Sequence, residues 1–474
     1  MTTQRPNTTP LKGIRILEAA AQWAGPLSSR VLAEMGAQVI KVEATVRPDP
    51  SRLHGPYPEN KAGEHHWEEG FGFIEANWNK QGITLDLGTT EGVGIFKRLA
   101  ALSDVVLENF TPRVMKNLGL DFQVLQQINP SIIMASVTGY GHTGPWTNYL
   151  AFGASMEPTT GLSHLTGYAD REPMRSGIPF TDIPSGMHCA FAILAALEYR
   201  DRTGKGQWID LAMYEVGTSF QAEALIDYSM NGRVKSRIGN RSEHHAPQGC
   251  YRCVGDDAWV TLAVCNDEQW GGLCEAMKMP ELMHQSKYSD LTARQQHHDE
   301  LDEVINSWTK TKTPTEAMHL LQEQGVPAGA VLNVKQSLFD PHLQERDFFR
   351  VVEFSGAAKR VGVRPFPGLP WKMSGARNAR TASPRLGQHT RQVLSELLGI
   401  PDKDVDDLET QQIIGTTPAA EETRNLRGLT VPLEQMMAQG RVQSYDQDYI
   451  TQLQKIWPQV QNGTGDGADE QVSR

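Results

Sequence analysis

Short apolar runs alternate with amphipathic stretches over the first half of the chain. Ile14-Arg15-Ile16-Leu17 predicts a strand. A turn at Gly25-Pro26 then leads into a helical run from Leu27 to Met35, stopped by Gly36. Val39 to Val42 predicts a second strand. Glu91 to Leu102 places Val93, Phe96, Leu99 and Ala100 at helical spacing. Asp104 to Leu107 and Ile132 to Val137 predict further strands, separated by a helix over Phe122 to Ile128. Apolar strands separated by helices imply an α/β fold, with a mostly parallel sheet covered by helices.

The stretch 44–76 breaks the pattern. It is rich in Pro, Gly, His and Glu and reads as a long loop or lid, with His65 and His66 solvated. Gly186 to Tyr199 predicts a helix whose face carries Met187, Ala190, Phe191, Leu194 and Leu197. The basic and glycine residues from Arg200 to Gly206 end it. A strand over Gln207 to Ala212 and a long helix to about Met230 follow. Strands are expected near Cys250–Val254 and Trp259–Val264, then helices near 267–278, 296–308 and 314–324. Thr390 to Leu398 predicts a late helix. Beyond about Thr416 the chain becomes Gln- and Gly-rich, which reads as an extension, helical near 431–437 and disordered at its end.

The 474 residues allow two or three domains at roughly 100–200 residues each. With 45 Lys+Arg against 56 Asp+Glu, the formal charge is −11, which argues against a nucleic-acid binder. Five cysteines make no disulfide framework. Residues 1–10 carry no apolar signal core, and no run approaches the ~18 apolar residues of a membrane span. A cytoplasmic enzyme is the expectation.

Several motifs lack their context. Gly139-Tyr140-Gly141-His142-Thr143-Gly144 spells G-x-G-x-x-G, yet Pro145-Trp146 follows where a dinucleotide site needs a helix to open. Cys250-Tyr251-Arg252-Cys253 is a lone C-x-x-C without two further zinc ligands at matched spacing. No metal site is expected. Neither a G-x-S-x-G elbow nor a phosphate-binding G-x-x-x-x-G-K-[ST] loop occurs.

The informative stretch runs from Gly177 to Leu197, with Asp182 four residues before Gly186 and an Ile193-Leu194-Ala195-Ala196-Leu197 helix behind it. Read alone, Asp182 is either a reactive carboxylate or an N-terminal cap stabilising its helix by roughly 0.5–2 kcal/mol. The stretch resembles the active-site region of the family III CoA-transferases, in which the corresponding aspartate is the nucleophile. The likeness continues in order through Leu11–Glu18, Ala24-Gly25-Pro26, Leu32–Ala37, Val39–Glu43, Asn77–Lys80, Glu108–Phe110 and Ser136–Gly141. It resumes at Gly204–Gln207, Gly239–Arg241, Gly325–Ala328, Asp340-Pro341 and Pro384–His389.

This resemblance implies a CoA-transferase that exchanges CoA between an acyl-CoA thioester and a free carboxylic acid, with Asp182 as nucleophile. It implies no tightly bound cofactor, with coenzyme A or acyl-CoA as cosubstrate. Trp23, Ala24, Asn79, Lys80, Asn109, Phe110 and Thr111 fall at CoA-contacting positions. Arg113 and Asn117 are implied CoA-binding positions as well; Asn117 stands where relatives often carry an arginine, and Arg113, Lys116 and Arg47 are the substitute phosphate contacts. Gly186, Gly239 and Asn240 are the candidates for oxyanion stabilisation and shielding. Tyr140 and Phe152, with Trp23 and Trp146, suggest an aromatic-lined pocket.

The implied fold is a Rossmann-like large domain with a parallel sheet plus a smaller α+β domain, in an interlocked ring-shaped homodimer. The boundaries expected are an arm at 1–10, the large domain's first part at 11–225 and a small domain with linker at 226–335. A return linker and the rest of the large domain follow at 336–416, then a polar extension at 417–474. Two alternatives share the fold: an acyl-CoA racemase or isomerase, and a non-catalytic CoA-binding paralogue. The family's racemases use a His-Asp pair where this chain has Phe152-Gly153, which removes one base of a two-base proton transfer.

Overall fold

A computed structural model describes residues 9–374, 380–424 and 431–463. The chain divides into two units. The first comprises Met1–Thr160, Gly177–Ala222 and Asp347–Arg474, and the second Gly161–Ser176 and Glu223–Arg346.

The first unit is built on six strands: β1 (Arg15–Ala19), β2 (Gln38–Glu43), β3 (Lys80–Thr84), β4 (Val105–Glu108), β5 (Ile133–Thr138) and β6 (Trp208–Ala212). Their order is β3-β2-β1-β4-β5-β6, and every neighbouring pair is parallel. Side chains alternate between the two faces of this sheet. Leu17, Ile40 and Val106 pack with Phe96, Leu99, Val393 and Leu394 on one face. Ile16, Val39 and Leu107 pack with Leu32, Ile193 and Ala196 on the other. Burial on both faces explains why β1, β2, β4 and β5 read as mainly apolar runs.

The helices needed to place the site are α1 (Ala24–Glu34), α2 (Phe71–Ala76), α3 (Thr90–Ala101), α4 (Arg113–Asn117), α5 (Phe122–Ile128) and α6 (Gly153–Thr159). They are followed by α7 (Leu162–Leu165), in the second unit, and α8 (Asp182–Thr203), in the first. Helix α8 starts four residues before the expected Gly186, because Pro184 fits a first helical turn, where its missing N–H is not needed. The long helix expected up to Met230 is two, Met213–Ser219 and Ala222–Asn231, separated at Phe220-Gln221.

The stretch 44–76 is no open loop. Asp49 caps a short 3-10 turn over Pro50–Leu53 by accepting the Ser51 N–H. Arg52 is fully buried and pairs with Glu43 at 2.8 Å and Glu68 at 2.9 Å. His66 is buried rather than solvated, with Nε2 2.9 Å from the Thr423 carbonyl. A hairpin of β10 (Phe349–Glu353) and β11 (Val363–Pro367) buries Trp78 against Phe354 and Phe366. The described tail packs here too. A helix at Leu433–Ala438 falls where one was expected. Val460 and Leu453 are buried, and Val363 and Gln461 exchange backbone hydrogen bonds of 3.0 and 3.3 Å. Residues 464–474, expected to be disordered, and 1–8 of the expected N-terminal arm lie outside the described residues.

The second unit holds an antiparallel sheet of β7 (Gln248–Arg252), β8 (Trp259–Ala263) and β9 (Ala328–Ala330) in the order β7-β8-β9. Its core gathers Tyr251, Val260, Leu262, Trp270, Leu273, Leu301, Ile305 and Leu321. Among the described residues, no helix is long and apolar enough to cross a membrane.

Candidate active site

Strand order reverses between β1 and β4, and open α/β sheets bind ligands in the crevice beyond such a switch point. β1 ends at Ala19 and turns through Ala20–Trp23 into α1, while β4 ends at Glu108 and passes through Asn109–Pro112 into α4. The two turns are joined. Asn109 accepts the Ala21 N–H at 2.8 Å and donates to the Ala21 carbonyl at 2.7 Å. Trp23, Asn109, Phe110 and Thr111 therefore lie on two joined turns, with Ala24 opening α1 and Arg113 opening α4 next to them. Arg113 and Lys116 are exposed on α4, as is Asn117 at its end. Beneath them Glu108 is buried and accepts the Phe110 N–H at 2.9 Å; burial pushes its carboxyl up to about 7.

Lys80 and Asn79 are engaged elsewhere. Lys80, expected against CoA, is buried, and its ammonium meets Glu18 at 2.8 Å, the Pro26 carbonyl at 2.9 Å and Asn77 Oδ1 at 2.9 Å. Those three partners match an ammonium's three donors. Burial lowers its pKa to about 7, against the pull of Glu18. Asn79 accepts from the Thr381 backbone N–H and hydroxyl.

Asp182 is the first residue of α8, and the cap position belongs to Thr181, which makes no side-chain cap bond. The cap reading of Asp182 therefore fails. Its carboxylate is nearly buried, and Oδ2 has no hydrogen-bond partner among the described residues. Burial pushes the carboxyl up to about 6, partly offset by its own backbone N–H. Its position on the first turn of a 22-residue helix favours negative charge by about 0.3–1 kcal/mol. Ionised near neutrality, poorly solvated and with Oδ2 unpartnered among the described residues, a carboxylate in this setting has the chemistry a nucleophile needs.

Close backbone approach explains two glycines. A β-carbon at Gly153, the first residue of α6, would lie 1.9 Å from Asp182 Oδ2. A β-carbon at Gly186, one turn beyond Asp182, would lie 2.9 Å from the Ala24 carbonyl and 3.1 Å from Leu27 Cβ. Gly186 thus lets α8 press on the start of α1, which gives this glycine a packing role. Gly239 and Asn240 belong to the second unit, where Asn240 donates to the Tyr168 hydroxyl at 3.0 Å. Tyr140 sits in a cluster with Trp146, Tyr149 and Tyr214, at centroid distances of 5.7, 6.0 and 5.7 Å. Phe152, expected to line a pocket, is 70% exposed.

The helix after Gly139–Gly144 opens only at Gly153, while His142 Nδ1 sits 3.0 Å from Asp210. Cys250 and Cys253 are free thiols. Sequence reasoning missed the steric part of Gly153 and the buried side chains behind the Ala20–Trp23 turn. The glycine was visible, but the approach of Asp182 was not.

Residues 11–390 match CoA-transferase family III. The chain is 33% identical to succinyl-CoA–D-citramalate CoA-transferase of Chloroflexus aurantiacus, over 87% of this chain and all of that one. It is 33% identical to succinate–glutarate CoA-transferase of Agrobacterium fabrum (83% and 98% covered). Human succinyl-CoA:glutarate CoA-transferase is 29% identical (86% and 90% covered). Among solved structures, a CAIB/BAIF family protein from Brucella suis superposes with a TM-score of 0.72 at 32% identity, covering 82% of this chain and 100% of that one. The chain belongs to CoA-transferase family III.

Proposed function

We infer that this CoA-transferase works through covalent catalysis at Asp182, exchanging CoA between an acyl-CoA and a free acid. The Asp182 carboxylate attacks the thioester carbonyl, forming a mixed anhydride and expelling CoA thiolate. The thiolate then attacks the aspartyl carbonyl, releasing the first acid and leaving an aspartyl-CoA thioester. The acceptor carboxylate attacks that thioester and thiolate leaves. Thiolate attack on the acceptor's carbonyl in the second anhydride then frees the new acyl-CoA and restores Asp182. The observation that carries this reading is the buried Asp182 carboxylate with an unpartnered oxygen against Gly153.

Trp23, Ala24, Asn109, Phe110 and Thr111 are the proposed CoA contacts, with Arg113 and Lys116 meeting its phosphates. The names of the relatives favour short dicarboxylic acids, with succinyl-CoA as donor. The enzyme is read as a cytoplasmic homodimer. Exposed apolar side chains support a partner surface: Tyr149, Leu150 and Phe191 in the first unit, and Ile226, Tyr228 and Met230 in the second.

Asp182→Ala is the test. It should abolish exchange between succinyl-CoA and a dicarboxylic acid while leaving the melting transition in place. Full exchange by that variant would overturn the reading.

A further inference from the structure

The Ala20–Trp23 turn is held at three consecutive residues by side chains from three other segments. Lys41, on β2, donates to the Ala20 carbonyl at 2.7 Å. Asn109 takes both backbone groups of Ala21. Asp49 Oδ1 accepts the Gln22 N–H at 3.0 Å. Gln22 has φ of 66°, the left-handed region that a residue with a side chain rarely adopts unless its surroundings impose it.

Asp49 is the hub of this arrangement. It is buried, with Oδ1 also accepting the Ser51 N–H at 2.9 Å and the Ser51 hydroxyl at 2.7 Å, and Oδ2 meeting Lys41 at 2.9 Å. Its own N–H is held by Glu43 at 3.0 Å, and Glu43 is held by Arg52. The segment carrying Asp49 is thus fixed independently of the turn that it grips. A rigid turn binds without losing freedom on association, so a residue that imposes its shape raises affinity without touching the ligand.

We propose that Asp49 is a positioning residue for acyl-CoA: its carboxylate, through the Gln22 N–H, fixes the Ala20–Trp23 turn in the shape that receives the cosubstrate. The inference rests on the placement of CoA at this turn. Asparagine in place of Asp49 keeps an acceptor for Gln22 and Ser51, whereas alanine does not. Asp49→Ala should therefore raise KM for succinyl-CoA, and the dissociation constant for free CoA, about tenfold. Its kcat at saturation and its KM for the acceptor acid should stay within about twofold. Asp49→Asn should keep KM for succinyl-CoA within about twofold of the parent while melting at a lower temperature, since its amide faces the Lys41 ammonium.

A purely structural role would lower melting temperature and active fraction in both variants with no selective change in KM, and that result would overturn the proposal. If Asp49→Ala does not fold, the pair Lys41→Met/Asp49→Asn and Lys41→Met/Asp49→Ala makes the same comparison without a lone buried ammonium. Equal KM values for succinyl-CoA in that pair would overturn it equally. A parent enzyme that exchanges CoA while the variants show no KM difference refutes only the part assigned to Asp49. A parent that neither binds CoA nor exchanges it refutes the functional reading itself.

Discussion

The Asp182 carboxylate lies so close to the α-carbon of Gly153 that a β-carbon there would stand 1.9 Å from Oδ2. A methyl group and that oxygen cannot share the space. Gly153→Ala should displace the carboxylate, and displacement of a reacting group by about 1 Å can cost on the order of 100-fold in rate. We expect kcat to fall by roughly that factor, with overpacking costing about 1–3 kcal/mol of stability. Steady-state exchange and urea unfolding, measured on one preparation, check both parts.

The proposed mechanism requires an ionised Asp182, and burial pushes its carboxyl up to about 6 from the usual 3.8. Exchange should therefore rise with pH through about 6 and level off above it. Stability runs the other way. The folded chain holds this proton more tightly than the unfolded one, so Asp182 lowers stability as pH rises from about 4 to about 6. Asp182→Asn removes that loss. The stability curves of parent and variant should diverge by up to about 3 kcal/mol between pH 4 and pH 7, which urea titrations at several pH values can read.

Gly186→Ala sets two effects against each other. Alanine favours a helix interior by roughly 0.5–1 kcal/mol over glycine. Here its methyl would press on the Ala24 carbonyl at 2.9 Å, a backbone atom that cannot rotate away. The clash should win, by about 1–3 kcal/mol of overpacking, so the melting temperature should fall. A rise would show that α8 and α1 have room to separate.

Arg113 is exposed at the start of α4, beside the switch point. Arg113→Ala should raise KM for acyl-CoA several-fold at low salt. The difference should shrink as ionic strength rises, because charge attraction across solvent is screened within about 10 Å at 0.1 M salt. Initial rates across a salt series test this, and kcat should stay unchanged.

Much of the first unit was legible because its strands are buried on both faces and so read as plain apolar runs. Strand β3 escaped, since Lys80-Gln81-Gly82 carries no such run. Its burial comes from neighbours distant in sequence, with His389 accepting the Gly82 N–H and Thr390 the Thr84 N–H. The stretch 44–76 read as a loop because Arg52, Glu43 and Glu68 look like surface charges until the fold pairs them. Lys80 misled for the same reason, its partner Glu18 lying on a strand two places away in the sheet. Asp182 was legible as a candidate. That it fails to cap its helix, and so keeps an oxygen free, depends on Thr181 taking the cap position.

Covalent catalysis at Asp182 passes through an acyl intermediate that hydroxylamine can trap. The enzyme is incubated with succinyl-CoA and hydroxylamine, digested, and the peptide containing Asp182 is read by mass spectrometry. Covalent catalysis predicts an aspartyl hydroxamate at Asp182 that requires acyl-CoA and accompanies loss of activity. An unmodified Asp182 in enzyme that is actively exchanging CoA, or a hydroxamate at another carboxylate, would contradict it.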